Sequence, residues 1–396
     1  MPHLQPADRE ALATAVADTV VITADADAPH SGLYYWEISR RWREAVVDAV
    51  RADGVDPAIR TLAGRLYADP ADPMLHSRLK AALIENGPAS VLDLGWRSEC
   101  NNRLGHHLGS RYERDTREPE VTVEELVAMP AGRGLPDGAD PAVLIVIPFR
   151  DRSAGRARLR NLLACLLALR DQSYPRDQYQ VVVVETDTSP RWRELVAPLA
   201  DHYLFAPKED DFNRSWAANA GVVNAPGNAE VICICDADVL ADREFVARNA
   251  ERFRRPGTMG HMPYRDMLCL DDISTRTAIR ERLVDRGAAT DLDRARGFTL
   301  RRGPGCCVWV RADAFHRIDG MDERYEGWGG EDIDFNYRFE FDLAYDSYSD
   351  PLIHMRHPPS SALREDGELT NAHIPPLSWR PDAPIGRLDR FATVPA

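Results

Sequence analysis

The chain has 396 residues, 44% of them hydrophobic and 28% charged, and a formal net charge of −14. Such a length allows two or three domains, or one large core with appendages, and the composition is that of an ordinary globular protein. The acidic balance, with no basic stripe, argues against a nucleic-acid partner. No apolar window approaches the roughly 18 residues of a membrane span, and the first residues lack a secretory pattern. The seven cysteines form no Cys-x-x-Cys pair, as expected of reduced, buried thiols. A soluble, cytoplasmic protein is therefore expected.

Residues 1–140 read as a helical accessory region. Tyr35 to Val50 carries a helix-compatible apolar pattern, and Leu75 to Ile84 supplies another before Asn86-Gly87-Pro88 breaks it. The cluster from Cys100 to His107 holds two adjacent histidines without ligand spacing and is expected to be a surface loop. Packing and a role in self-association or acceptor recognition are comparable readings of this region. Pro130 to Pro141, rich in Gly, Pro and Asp, marks the expected domain boundary.

From residue 141 the chain alternates between α and β patterns. Val143 to Ile147 suits a buried parallel strand and ends at the loop Pro148-Phe149-Arg150-Asp151-Arg152. Arg156 to Arg170 is expected to be helical, Tyr179 to Glu185 a strand, Arg191 to Ala200 a helix and Tyr203 to Ala206 a short strand. Phe212-Asn213-Arg214 opens a further helix, and the strand Glu230 to Cys235 runs into Asp236-Ala237-Asp238. This alternation predicts a mostly parallel sheet with helices on both faces, and in such sheets ligands bind beyond the carboxyl ends of the strands. Two carboxylates at a strand tip suit magnesium or manganese. Acidic strand tips are also common without a ligand.

Beyond Asp238, Arg243 to Arg255 reads as a helix, 257–298 resists assignment, Val308 to Arg311 reads as a strand and Asp313 to Ile318 as a short helix. Gly320 to Arg338 then combines Gly327, Gly329 and Gly330 around Trp328 with Glu331 and Asp332. The glycines permit positive φ on both sides of the tryptophan, as in a loop that swings an aromatic ring over a ligand. Glu331 and Asp332 fall in the first turn of a helix, where the dipole favours ionised carboxylates. Phe335 and Phe339 share its inner face, and Asp334 and Arg338 are spaced for an ion pair. Acids at a helix start more often merely cap it. His354 and His357 end an apolar run at a spacing at which two imidazoles can share a cation, and with Asp238 they favour manganese over magnesium. Residues 359–396 read as an irregular, Pro-rich tail.

These motifs occur in the order found in the beta-1,4-galactosyltransferase family and its bacterial, family 2-like relatives, which the chain resembles from about Val143 to His357. The resemblance implies the type A glycosyltransferase fold, a Rossmann-like α/β domain over 141–358, and transfer of a hexose from a UDP-sugar to an acceptor hydroxyl with inversion. It implies that Pro148, Phe149, Arg150, Arg152, Phe212, Arg214, Asp236, Asp238 and Trp328 bind the donor. Asp238 and His357, with His354 where the vertebrate enzymes have methionine, would hold Mn2+ or Mg2+. Asp332 would be the catalytic base, with Glu331 positioning the acceptor. Ile333 interrupts the acidic run that animal members continue, so an acceptor contact made there is expected to be lost, and the helical N-terminal region has no counterpart in that motif set. The acceptor is therefore expected to be an oligosaccharide, glycolipid headgroup, peptide or secondary metabolite. The alternatives are a retaining enzyme like the polypeptide N-acetylgalactosaminyltransferases, a nucleotidyltransferase, and a non-catalytic sugar- or nucleotide-binding scaffold.

Overall fold

A computed structural model describes residues 8–115, 119–327, 329–358 and 370–392. The chain divides into two compact units, one of residues 1–119, 266–278 and 291–302 and the other of 120–265, 279–290 and 303–396. The second unit thus begins ahead of the Gly/Pro-rich segment. Val123–Ala128 is a helix with a capping box at Thr122. Ion pairs Glu120–Arg160 and Glu124–Arg156, at 2.6 and 2.8 Å, tie it to the start of the helix Ala157–Arg170.

The first unit is built on helices whose starts are written in the sequence. Asp56 and Asp72 accept hydrogen bonds from the backbone N–H groups of Ala58 and Met74 at 2.7 and 2.8 Å, each with proline next in the chain. Arg9–Ala24 is buried along most of its length. Gly95 permits a close crossing with it, since a Cβ there would lie 2.4 Å from Val16 Cγ2. The helix expected over Tyr35 to Val50 is two, Leu33–Ile38 and Arg40–Val50. They part at Ser39, whose hydroxyl donates to the Tyr35 carbonyl at 2.7 Å and accepts from the buried Arg43 guanidinium at 2.6 Å.

The expected surface loop at Cys100 to His107 is a correction. Cys100 ends the helix Ala89–Asn101, and Leu104–Leu108 is a strand paired antiparallel with Arg296–Arg301, Leu104 opposite Leu300. Asp266–Leu270 pairs with the other edge of Arg296–Arg301. The strand's partner lies almost two hundred residues along the chain, beyond the reach of any local pattern.

The second unit carries a seven-stranded sheet whose strands are β1 (Val143–Phe149), β2 (Tyr179–Glu185), β3 (His202–Phe205), β4 (Val231–Cys235), β5 (Gly260–Met262), β6 (Cys307–Arg311) and β7 (Tyr345–Ser347). Their order is β3-β2-β1-β4-β6-β5-β7, and among the described strands only β6 runs against the rest. β1, β2 and β4 are buried at every position, as continuous apolar strands between helical layers should be. Ala157–Arg170 is buried on most of its surface. Of the helix expected over Arg191 to Ala200 only Arg193–Val196 forms, because Pro198 has no N–H to donate back into it. No described helix is long and apolar enough to cross a membrane.

The sequence of strands places a switch point between β1 and β4, where chain connections leave in opposite directions. Helix Arg214–Asn224 packs against β1 and β2 through Gly221, where a Cβ would come within 2.3 Å of Val146 Cγ1 and 3.0 Å of Val184 Cγ2. Gly221→Ala is expected to cost about 1–3 kcal/mol by overpacking this contact. Denaturant titration with an unchanged m-value would check it, and an unaltered midpoint would refute it.

Candidate active site

Two segments bring carboxylates, and a third a guanidinium, to the ends of β4 and β6. Asp236 and Asp238 follow β4 directly, and Asp332 stands in the first turn of helix Glu331–Asp342. Between them lies Arg214, in the first turn of a helix capped by Asn213, whose side chain accepts from the Trp216 N–H at 2.8 Å. Arg214 Nε donates to Asp236 Oδ1 and Nη1 to Asp332 Oδ1, both at 2.7 Å. Its Nη2 is buried with no hydrogen-bond partner among the described residues. A buried donor left unmet beside two carboxylates is a natural contact for an anionic or hydroxylated ligand.

Burial raises the Asp236 carboxyl to about 6 against the opposing pull of Arg214, and Asp332 adds to the rise. Glu331, only 9% exposed, is raised to about 7, first by burial and then by the neighbouring charge of Asp332. Near neutral pH Glu331 can therefore donate as well as accept a hydrogen bond.

Asp332 is also fixed from the side of β6. A Cβ at Gly305 would lie 1.8 Å from Asp332 Oδ2, so only glycine admits the carboxylate there. The carbonyls of this short turn are held by Tyr264, whose hydroxyl donates to Gly305, and by Asn336 Nδ2, which donates to Pro304 at 2.7 Å.

The second grouping surrounds Asp238. Its Oδ2 stands 3.4 Å from His357 Nε2, and one ligand atom each from Asp238, His354 and His357 lie within 4.8 Å of one another. Asn161 Nδ2 donates to Asp238 Oδ1 at 2.9 Å, and Arg158 approaches Oδ2 at 3.6 Å. Burial pushes Asp238 up, but His357, Arg158 and His354 outweigh it and hold the carboxyl below its ordinary value. Burial pushes both histidines down, His354 to about 4. An ionised carboxylate beside two neutral imidazoles is the protonation state that cation ligation needs, so the donor set fits a divalent ion.

The remaining predicted residues fall around this centre. Pro148 and Phe149 are inside β1, with Phe149 buried in the sheet. Arg150 donates to the carbonyls of Thr186, Lys208 and Asp210 at 2.6, 2.7 and 2.5 Å, with its guanidinium 5.8 Å from the Phe212 ring. Arg152 bonds Asp187 Oδ1 at 3.0 Å and the Glu209 carbonyl at 2.8 Å. Both arginines thus shape the loop before Phe212. Trp328 lies outside the described residues, but Gly327, Gly329 and Gly330 all take positive φ, at 70°, 97° and 100°.

Sequence reasoning passed over Asn161, Arg158, Gly305 and Tyr264, none of which sits in a recognisable pattern. It also passed over the tail's reach. Asn371 Nδ2 donates to the carbonyls of Glu326 and Gly329 at 2.9 and 2.8 Å, and Trp379 Nε1 to that of Asp319 at 2.8 Å. The irregular segment 370–392 is a brace for the glycine-rich loop.

Residues 144–319 match the model of a family described as glycosyl transferase family 2. Residues 298–344, which carry β6, the glycine-rich loop and the Glu331-Asp332 pair, match one described as the N-terminal domain of galactosyltransferase. Over residues 144–344 the chain is thus similar to family 2-like glycosyltransferases. Among solved structures, the chain is similar to a mannosyltransferase from Pyrobaculum calidifontis in complex with GDP-Man and Mn2+ (16% identity, 59% of this chain and 62% of that one, TM-score 0.37). It is similar also to Drosophila beta1,4galactosyltransferase 7 in complex with xylobiose (16%, 60% and 75%, 0.31) and to S. aureus TarS in complex with UDP-GlcNAc (13%, 55% and 59%, 0.39). It spans 62% of the first of these and 59% of the last. No curated protein sequence matches it.

The raised Glu331 carboxyl has a consequence for stability. Its value in the fold, about 7, exceeds the ordinary 4.5, so it favours the fold while protonated, and that contribution is lost as pH rises from the lower value through the higher. The loss is about 3 kcal/mol at most. Glu331→Gln is expected to be more stable than the wild type at pH 8 and to show a flatter decline between pH 5 and 8. Parallel stability curves for the two proteins in urea would contradict this.

Proposed function

We propose that the second unit transfers a hexose from a UDP-sugar to an acceptor hydroxyl, with a divalent cation and with inversion at the anomeric carbon. The observation that carries the reading is the adjacency of two different carboxylate environments at one strand tip. Asp238 is grouped with two neutral histidines, and Asp332 is grouped with Arg214 and Glu331. A cation held by Asp238, His354 and His357, as Mn2+ or Mg2+, supplies charge neutralisation for the departing diphosphate.

Asp332 takes the acceptor's proton as the hydroxyl attacks. Its Oδ1 is held by Arg214 at 2.7 Å and its Oδ2 lies against Gly305, so the carboxylate is oriented before the acceptor arrives. Glu331 hydrogen-bonds and positions the acceptor. Arg214 Nη2, unmet in the described structure, meets a donor oxygen. Phe212 and the Arg150–Arg152 loop border the nucleotide, and Trp328 closes over the sugar. The match of 298–344 to a galactosyltransferase domain supports this assignment of the Glu-Asp pair. The acceptor is an oligosaccharide, glycolipid headgroup, peptide or secondary metabolite.

The test is calorimetric titration of UDP and a panel of UDP-sugars, with and without Mn2+. UDP is expected to bind only with the cation, to lose binding in Asp238→Ala, and to keep it in Asp332→Asn while turnover falls about 100-fold or more. If no nucleotide binds under any condition, the reading fails and a scaffold on this fold takes its place. An α-configured product from a UDP-α-sugar would replace inversion by retention.

A further inference from the structure

Within the first unit, Asp18 on helix Arg9–Ala24, His76 on helix Pro73–Asn86 and His106 on strand Leu104–Leu108 converge on one point. His76 Nε2 and His106 Nδ1 lie 2.7 and 3.1 Å from the same Asp18 Oδ1. One ligand atom from each of the three lies within 4.8 Å of the others. The two rings are tilted at 59° with centroids 5.3 Å apart. No step of the transfer proposed above uses them.

The plain account of such a cluster is a carboxylate that fastens two histidines. The same geometry meets a further requirement, since two imidazole nitrogens and one carboxylate oxygen that converge on one point are the donor set of a three-ligand transition-metal site with a position left for water.

We propose that Asp18, His76 and His106 form a second cation site, selective for a borderline divalent ion such as Zn2+. A tetrahedral ion about 2.0–2.2 Å from each ligand atom holds neighbouring ligand atoms about 3.4 Å apart, so the two His–Asp separations, 2.7 and 3.1 Å, need to open by only about half an ångström. Asp18 and His76 keep 16% and 10% side-chain exposure, which gives an ion a way in. The site joins two helices and the outer strand of the small sheet, so the ion acts as a clamp on this unit.

The test uses the full chain, stripped with chelator and titrated calorimetrically with Zn2+ in excess Mg2+, with Co2+ absorption as a readout of coordination. Asp238→Ala, which disables the other candidate site, is expected to retain one equivalent of Zn2+ and visible Co2+ bands. His76→Gln added to Asp238→Ala is expected to lose both, with far-UV circular dichroism verifying the fold, and His106→Gln serves as the second variant. The proposal is overturned if Asp238→Ala binds no Zn2+, or if either glutamine variant keeps the equivalent and the bands. These outcomes are separate from failure of the glycosyltransferase reading, which is read in UDP binding.

Discussion

The placement of the site depends on Arg214. A buried guanidinium between Asp236 and Asp332 joins the tip of β4 to the first turn of helix Glu331–Asp342, two segments about one hundred residues apart. Each partner needs the others. Two carboxylates this close would repel without the cation between them, and a buried guanidinium without them would carry an uncompensated charge. The arrangement fixes register as much as it adds stability, because a shift of either segment would break one arm of the bridge.

Around that bridge, close backbone approach does what side chains cannot. Gly305 allows the β6 turn to lie against Asp332, and Gly221 allows the helix that begins with Arg214 to lie on β1 and β2. The inner face of helix Glu331–Asp342 is anchored by Phe335 and Phe339, both fully buried. Asp334 and Arg338 form the expected pair at 2.8 Å, and Arg338 also donates to the carbonyls of Ile318 and Gly320 at 2.7 and 2.8 Å. The helix that presents Glu331 and Asp332 is thereby rigid, while the loop before it is glycine-rich and held by single side chains such as Asn371.

The same physics separates the two histidine clusters. Both place two imidazoles beside one buried carboxylate, but the one at β4 stands among Asn161, Arg158 and the Arg214 bridge, whereas the one in the first unit stands on two helices and a strand with no other carboxylate hydrogen-bonded into it among the described residues. Ring burial depresses His106, His354 and His357 alike. Adjacency to other chemistry, rather than ligand type, distinguishes their roles.

Strand identity was legible in the amino-acid sequence because buried parallel strands are continuous apolar runs, and β1, β2, β4 and β6 fall within two residues of where those runs lie. The carboxylates at strand and helix ends were legible too, since Asp236, Asp238, Glu331 and Asp332 sit in short patterns with a local physical meaning, as do the positive-φ glycines around position 328. What required tertiary structure was every partnership across long separations. The pairing of Leu104–Leu108 with Arg296–Arg301, the meeting of Asp18 with His76 and His106, the need for glycine at 305 and the bracing of the loop by Asn371 all depend on distances in space. A sequence pattern reports the environment of one segment along its own axis. Which other segment fills that environment is decided only when the chain closes on itself, by packing and by the need to match each buried charge.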